Sequence, residues 1–169
     1  MKEVWDIVDE HGRRTGRTIC AGEKMNAGDY HPAVSVWIRN SRGEYLISQR
    51  APDMGAAAGM WDTTSGSVLA GEESLQAAVR ETKEELGVDL DPACAHHFCS
   101  YTWPMSDGNG AVYYDVWLFL CNVSADPIRL QEGETADAAW TDADGIRRMI
   151  TEGRFIPYTY IEELFAAQI

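Results

Sequence analysis

Glu81, Glu84 and Glu85 fall at i, i+3 and i+4 within Ser74–Leu86, a stretch with helical periodicity. At ~100° per residue the three carboxylates share one arc of the helix. Like charges at this spacing repel by roughly a few tenths of a kcal/mol per pair in an isolated helix. They also lie near the helix C-terminus, where the macrodipole disfavours negative charge. Local stability gives no reason to place them there, whereas a bound divalent cation does. Carboxylate oxygens are the hard ligands that Mg²⁺ and Mn²⁺ take, and Mg²⁺ usually joins a few carboxylates to substrate phosphates. The same residues also read as a solvated acidic face on an acidic protein.

The apolar stripe Leu75, Ala78, Val79, Thr82 and Leu86 predicts the core face of that helix, with the glutamates turned away from it. Gly87 stands where a left-handed cap ends the helix. Upstream, Val4–Val8 and Arg17–Cys20 flank the turn chemistry of Asp9–Gly16 and predict an N-terminal hairpin within residues 1–30. Ala33–Arg39 and Glu44–Arg50, joined by Asn40-Ser41-Arg42-Gly43, read as the clearest hairpin. Downstream, His96–Thr102 and Ala111–Cys121 flank the loop Ser106–Gly110 and predict a second antiparallel pair. Helical periodicity returns in Asp142–Glu152 and Thr159–Ala167, separated by Pro157, whose ring cannot continue the preceding helix. Strands on both sides of one helix, with helices at the end, predict an α/β sandwich on a mixed sheet. Without regular strand–helix alternation, a parallel dinucleotide-binding sheet is not expected.

The chain has 169 residues, a length that predicts one domain over 1–169. With 27 acidic and 14 basic side chains, its net charge of −13 argues against a nucleic-acid polymer as partner and against an anionic membrane surface. An anionic substrate would meet a repulsive field and depend on metal. No run approaches the ~20 apolar residues of a membrane span. Met1–Asp6 lacks the apolar stretch of a signal peptide, so a cytoplasmic protein is the expectation. Cys20, Cys94, Cys99 and Cys121 then read as reduced and mostly buried, and the sequon Asn122-Val123-Ser124 carries no meaning. The spacing of Cys94-Ala95-His96-His97-Phe98-Cys99 fits no common zinc pattern. Arg50, ahead of a Gly/Ala-rich loop, reads as a phosphate-contacting cation or as an exposed strand end. Trp61, Tyr101, Trp103 and Tyr113 read as core aromatics or as a stacking platform.

Gly66, Glu72 and the run Arg80-Glu81-Thr82-Lys83-Glu84-Glu85-Leu86-Gly87-Val88 together resemble the Nudix box: a glycine, a glutamate six residues on, and Arg-Glu-x-x-Glu-Glu-x-Gly ending on an aliphatic residue. Thr82 is the one departure, since the family usually has an aliphatic residue there. Weaker likeness extends from about Trp5 to Tyr160. The resemblance implies a Nudix-type α/β/α sandwich and the Mg²⁺- or Mn²⁺-dependent hydrolysis of a nucleoside diphosphate derivative or related organic diphosphate. It implies metal ligands Glu81, Glu84 and Glu85 with the Gly66 carbonyl. Arg80 is implied to hold the glutamates, with Glu72 as a secondary member of that network. The general base varies across the family: it comes from the helix (Glu81, Glu84) or from a loop. Glu134 sits where relatives place a loop glutamate, close to Glu132, and both equally read as solvated loop acids. Many relatives are homodimers, and the N-terminal hairpin or terminal helices are candidate interfaces.

Outside the box the chain is similar to the branch that includes isopentenyl diphosphate isomerase. That branch has Cys-Gly-His where this chain has Ser65-Gly66-Ser67, so the thiol and one metal histidine are absent. A serine hydroxyl has a far higher pKa than a thiol and does not replace it in proton transfer. His31 resembles another histidine of the isomerase metal site, and equally a lone histidine at a strand start. A silent Nudix-fold sensor is the remaining alternative, although such domains typically lose box glutamates and this chain keeps them. Substrate identity is not legible, because the loops select the leaving moiety.

Overall fold

The segment Tyr30–Arg39 is buried at most of its positions, and in this computed structural model it is the strand around which the rest is arranged. The structure describes residues 2–53, 57–105, 108–123 and 128–169. Part of the Gly/Ala-rich loop after Arg50, residues 106–107 of the loop at 106–110, and Ser124 of the sequon lie outside the described residues. The strands are β1 (Val4–Val8), β2 (Arg14–Cys20), β3 (Tyr30–Arg39), β4 (Tyr45–Arg50), β5 (Trp61–Asp62), β6 (Thr64–Ser67), β7 (Ala95–Pro104), β8 (Ala111–Leu120) and β9 (Thr135–Thr141). The helices are α1 (Ser74–Leu86), α2 (Ala143–Thr151) and α3 (Ile161–Ala166).

Along one edge β3 pairs with the whole of β8 in parallel, from Tyr30↔Ala111 to Arg39↔Leu120. Its other edge is shared in succession by β1 (Tyr30↔Val8), β6 (Ala33–Val36 with Ser67–Thr64) and β4 (Arg39↔Tyr45), all antiparallel. A strand central to a mixed sheet is covered on both faces and reads as a near-continuous apolar run. Val34, Val36 and Ile38 pack with Ala77, Ala78 and Leu86 of α1. The alternate Trp37 packs with Ile146 of α2 and Ile161 and Leu164 of α3. One sheet thus carries helices on both faces, the expected sandwich.

The hairpin expected from Ala33–Arg39 and Glu44–Arg50 is corrected. The two strands share the single pair Arg39↔Tyr45 and then diverge, because β6 takes the edge of β3 that a ladder with β4 would need. The main partner of β4 is β9, from Tyr45↔Thr141 to Arg50↔Thr135. β9 itself, Thr-Ala-Asp-Ala-Ala-Trp-Thr, has little β-branched or alternating character, so its strand state comes from that pairing rather than from propensity. The second strand of the N-terminal hairpin begins at Arg14 rather than Arg17, with a register shift between Ile7 and Val8.

Helix α1 has the expected limits, and Gly87 takes φ 69° with its N–H on the Lys83 carbonyl. α2 starts one residue later than expected because Asp142 caps it, its carboxylate accepting the Gly145 amide at 2.7 Å. α3 is shorter than the periodicity implied. The four cysteines are free, but half-buried rather than buried. No helix among the described residues is long and apolar enough to cross a membrane.

Candidate active site

Gly66 lies in β6 opposite Val34, and the side chain of Glu81 reaches from α1 onto it. A Cβ at position 66 would fall on the Glu81 Cγ, Cδ and Oε1 atoms. The glycine is therefore required by the close approach of a carboxylate, and its φ is unexceptional. This corrects, for Glu81, the expectation that the glutamates lie away from the core face. Glu81 is 8% exposed and Glu85 half-buried, and only Glu84 is exposed. Ala77 and Glu81 join Ala78, Thr82 and Leu86 as the buried positions, while Leu75 and Val79 pack at the margin of the core. Thr82 is fully buried and returns its hydroxyl to the Ala78 carbonyl at 2.9 Å, which explains why a polar residue is tolerated there.

Arg80 is the hub of the loop between β6 and α1. Its Nε and Nη2 each donate to one oxygen of Glu72 at 2.9 Å, and Nη2 also donates to the Ser67 carbonyl at 2.8 Å. Nη1 donates to Glu81 Oε1 at 2.8 Å and to Glu84 Oε2 at 3.2 Å. The remaining oxygen capacity of Glu72 takes the Leu69 amide at 3.0 Å. A planar guanidinium can span these acceptors in one geometry, which a lysine cannot.

Beyond Glu81, one turn along α1, Glu85 faces a narrow cleft lined also by Arg50, Asp62, Ser65 and Glu134. Burial pushes the Glu85 carboxyl up to about 8, reinforced by Glu81, Glu134 and Asp62, against which the Thr64 hydroxyl hydrogen bond works. Burial likewise raises Glu81 to about 7 in spite of Arg80. Glu134 reaches the cleft because the loop before β9 is tied to the end of β4 by the Ala51 N–H on the Glu134 carbonyl at 2.9 Å, and its carboxylate accepts from Gln131 Nε2 at 2.9 Å. Glu132, its neighbour, is exposed.

Two residues that sequence reasoning did not single out complete the cleft. Asp62 is 4% exposed, and its Oδ1 accepts the Tyr158 hydroxyl at 2.6 Å and the Thr63 amide at 2.7 Å. Its Oδ2 lies 3.6 Å from Arg50 Nη1. Burial still raises Asp62 to about 6. Tyr158 arrives from the C-terminal segment, which docks on β5 through Trp61 N–H to Arg154 O at 2.7 Å and Ile156 N–H to Trp61 O at 3.1 Å. No local pattern signals this contact, which joins positions 62 and 158.

Among the described residues no three His, Cys, Asp or Glu side chains converge into a cation cage, and Glu81 and Glu84 both pair with Arg80. The donor chemistry nevertheless fits a hard divalent cation. Asp62, Glu81, Glu85 and Glu134 bring an excess of carboxylate over Arg50 and Arg80, and carboxylate oxygens are the ligands that such an ion takes. His31 is buried on β3, its Nε2 3.1 Å from Ser67 Oγ, and burial lowers it to about 4. His96 and His97 are both exposed and belong to no such cluster, and His97 pairs with Asp115 at 3.1 Å. Of the aromatic candidates, Tyr101 stacks on Tyr114 with centroids 4.9 Å apart, Trp61 and Tyr113 are half-buried, and Trp103 is 60% exposed.

Residues 29–164 match the family model of the NUDIX domain. An uncharacterized Nudix hydrolase of Listeria monocytogenes is 34% identical over 164 residues, covering 96% of this chain and 94% of its own. The isopentenyl-diphosphate Delta-isomerase of Pectobacterium atrosepticum is 33% identical over 155 residues, covering 88% of this chain and 83% of its own. The crystal structure of a Deinococcus radiodurans protein shares the fold with a TM-score of 0.73 at 20% identity, over 97% of this chain and 98% of that one. With its box intact and serine where the isomerase pattern has cysteine, the chain belongs to the Nudix family and is a Nudix hydrolase, a pyrophosphohydrolase.

Proposed function

We propose that the enzyme hydrolyses a pyrophosphate bond in a nucleoside diphosphate derivative or related organic diphosphate, with Mg²⁺ or Mn²⁺ as cofactor. The observation that carries this reading is Glu81, buried against Gly66, with Glu85 one turn on in a cleft bordered by Asp62 and Glu134, an arrangement that calls for a cation. Glu81, Glu84, Glu85 and the Gly66 carbonyl would hold the ion, which supplies charge neutralisation to the diphosphate and to the departing phosphate. Arg80 orients Glu81 and Glu84 and, through Glu72, fixes the loop in front of α1. Arg50 contacts a phosphate oxygen, kept in place by Asp62 and Tyr158 behind it. Water attacks one phosphorus, the bridging P–O bond breaks, and the water proton passes to a carboxylate. Glu134 is the acceptor favoured by its place across the cleft from Glu85, with Glu81 and Glu84 as the helix-borne alternatives.

The test is release of phosphate or of a nucleoside monophosphate from a panel of nucleoside diphosphate derivatives, with Mg²⁺, with Mn²⁺ and with chelator, for the wild type and Glu85→Gln. Metal-dependent turnover that the substitution abolishes supports the reading and names the substrate class. Ligand binding without turnover in the folded wild type would replace it with a sensor role. Turnover of a prenyl diphosphate to its isomer would contradict the argument from Ser65.

A further inference from the structure

The loop that carries Glu72 is held from outside the box by the N-terminal hairpin. The Ala70 amide donates to the Val4 carbonyl at 2.8 Å, and the Gly71 amide to Asp6 Oδ2 at 2.8 Å. Arg14 Nη2 donates to the Glu72 carbonyl at 2.6 Å, while its Nε lies 3.1 Å from the same Asp6 oxygen and Nη2 3.0 Å from Glu73 Oε1. The side chains of Asp6 and Arg14 thus hold two consecutive residues, taking the backbone donor of Gly71 and the backbone acceptor of Glu72, while the Val4 carbonyl of the same hairpin holds Ala70. The side chain of Glu72 leaves the same loop toward Arg80, which donates to both of its oxygens. A second path runs from the same strand: the Trp5 ring lies over His31 with centroids 3.9 Å apart, His31 meets Ser67, and the Ser67 carbonyl takes Arg80 Nη2. The two paths end on one guanidinium, and that guanidinium sets Glu81 and Glu84.

We propose that Asp6 and Arg14 are positioning residues for the box glutamates, acting through the loop 70–72, Glu72 and Arg80. This inference rests on the metal-dependent reading above. The hairpin lies outside residues 29–164 that match the family model, so the box receives a support that the matched domain does not itself contain. Arg14 remains 45% exposed, so its removal opens no cavity and gives up little packing. Its effect is instead directional, because a loop released at Glu72 lets the Arg80–Glu72 pair drift and with it the carboxylate of Glu81.

The experiment measures binding of Mn²⁺ alone, by the paramagnetic resonance of the free ion, to the full chain as wild type, Arg14→Ala, Arg14→Lys, Asp6→Asn and Glu85→Gln. Amide exchange of Ala70 and Gly71 in the metal-free proteins is followed in parallel. Removing a group bonded directly to a metal ligand lowers affinity by ~10–100-fold. Arg14 acts two contacts further out, so Arg14→Ala and Asp6→Asn are expected to weaken Mn²⁺ by about three- to tenfold. Exchange at 70 and 71 should be faster and the melting temperature nearly unchanged, with Arg14→Lys falling between Arg14→Ala and the wild type. Wild-type affinity and exchange in Arg14→Ala and Asp6→Asn, with binding lost in Glu85→Gln, would overturn the positioning role and leave the metal reading standing. A wild type that binds no Mn²⁺ would overturn both.

Discussion

Replacing Gly66 by alanine places a methyl group where the Glu81 carboxyl group sits. Neither partner has an easy retreat. Gly66 is fixed by the β3–β6 ladder beside Val34, and Glu81 projects from a helix whose Ala77, Ala78 and Leu86 are locked into the core. The carboxylate must therefore leave, giving up its 2.8 Å bond to Arg80. Overpacking of this kind costs about 1–3 kcal/mol, and a charge-assisted hydrogen bond is worth ~1.5–3 kcal/mol, partly offset because the displaced carboxylate regains water. A net loss of about 1–3 kcal/mol is expected, or roughly 3–10 °C in melting temperature for a chain of this size. Turnover should fall by about 10²–10³-fold, since a displaced ligand no longer meets the ion. The decisive assay is a double-mutant cycle of Gly66→Ala and Glu81→Ala in urea. If the clash is the cause, alanine at 66 adds little once Glu81 is truncated, and the coupling energy is about 1–3 kcal/mol in the compensating direction. Additive losses, or a Gly66→Ala enzyme with wild-type turnover, would refute the reasoning.

Further consequences concern the charged groups. Glu81 and Glu85 hold protons up to about 7 and 8 in the fold but ionise at the ordinary carboxylate pKa when unfolded, so the metal-free native state binds the more protons. Stability of the chelated protein should accordingly fall as pH rises from about 6.5 to 8, and urea midpoints that rise or stay level across that window would contradict the burial of these acids. Below about pH 6.5 His31, held neutral down to about 4, works in the opposite sense, while Asp62, raised to about 6, adds to the fall. Glu85→Gln removes the buried charge, so at pH 8 it should melt higher than the metal-free wild type by a few kcal/mol of stability while losing turnover. Tyr158→Phe deletes the 2.6 Å bond to Asp62; about 1–3 kcal/mol of stability should go. Its KM should rise more than its kcat falls, because Arg50 loses its backing, and an unchanged KM would dissociate Asp62 from substrate binding. Arg80→Lys keeps the charge but not the fork, and turnover should drop at least about tenfold with the charge count unaltered; equal activity would make Arg80 a point charge only.

The helix α1, its Gly87 cap and the i, i+3, i+4 glutamates were legible because all three depend on neighbours within a turn or two of chain. The strands that position them were legible unevenly. β1, β3, β7 and β8 carry their own β-branched or aromatic patterning, whereas β9 and the short β5 and β6 owe their state to partners distant in sequence. The divergence of β3 and β4 after one pair had the same origin: the loop between them reads as a turn either way, and competition from β6 for one edge is a tertiary fact.

By itself the sequence determined the chemistry on offer, oxygen ligands and an arginine at helical spacing, since composition and local periodicity are written residue by residue. The tertiary structure decided which of those groups lose water. Glu81 became buried and Glu85 half-buried while Glu84 stayed exposed, and Arg50, Asp62 and Glu134 met in one cleft from three separate stretches of chain, with Tyr158 bonded to Asp62 from a fourth. Desolvation and long-range pairing arise only when distant segments pack together, and these two effects set the carboxylate pKa values and the shape of the site.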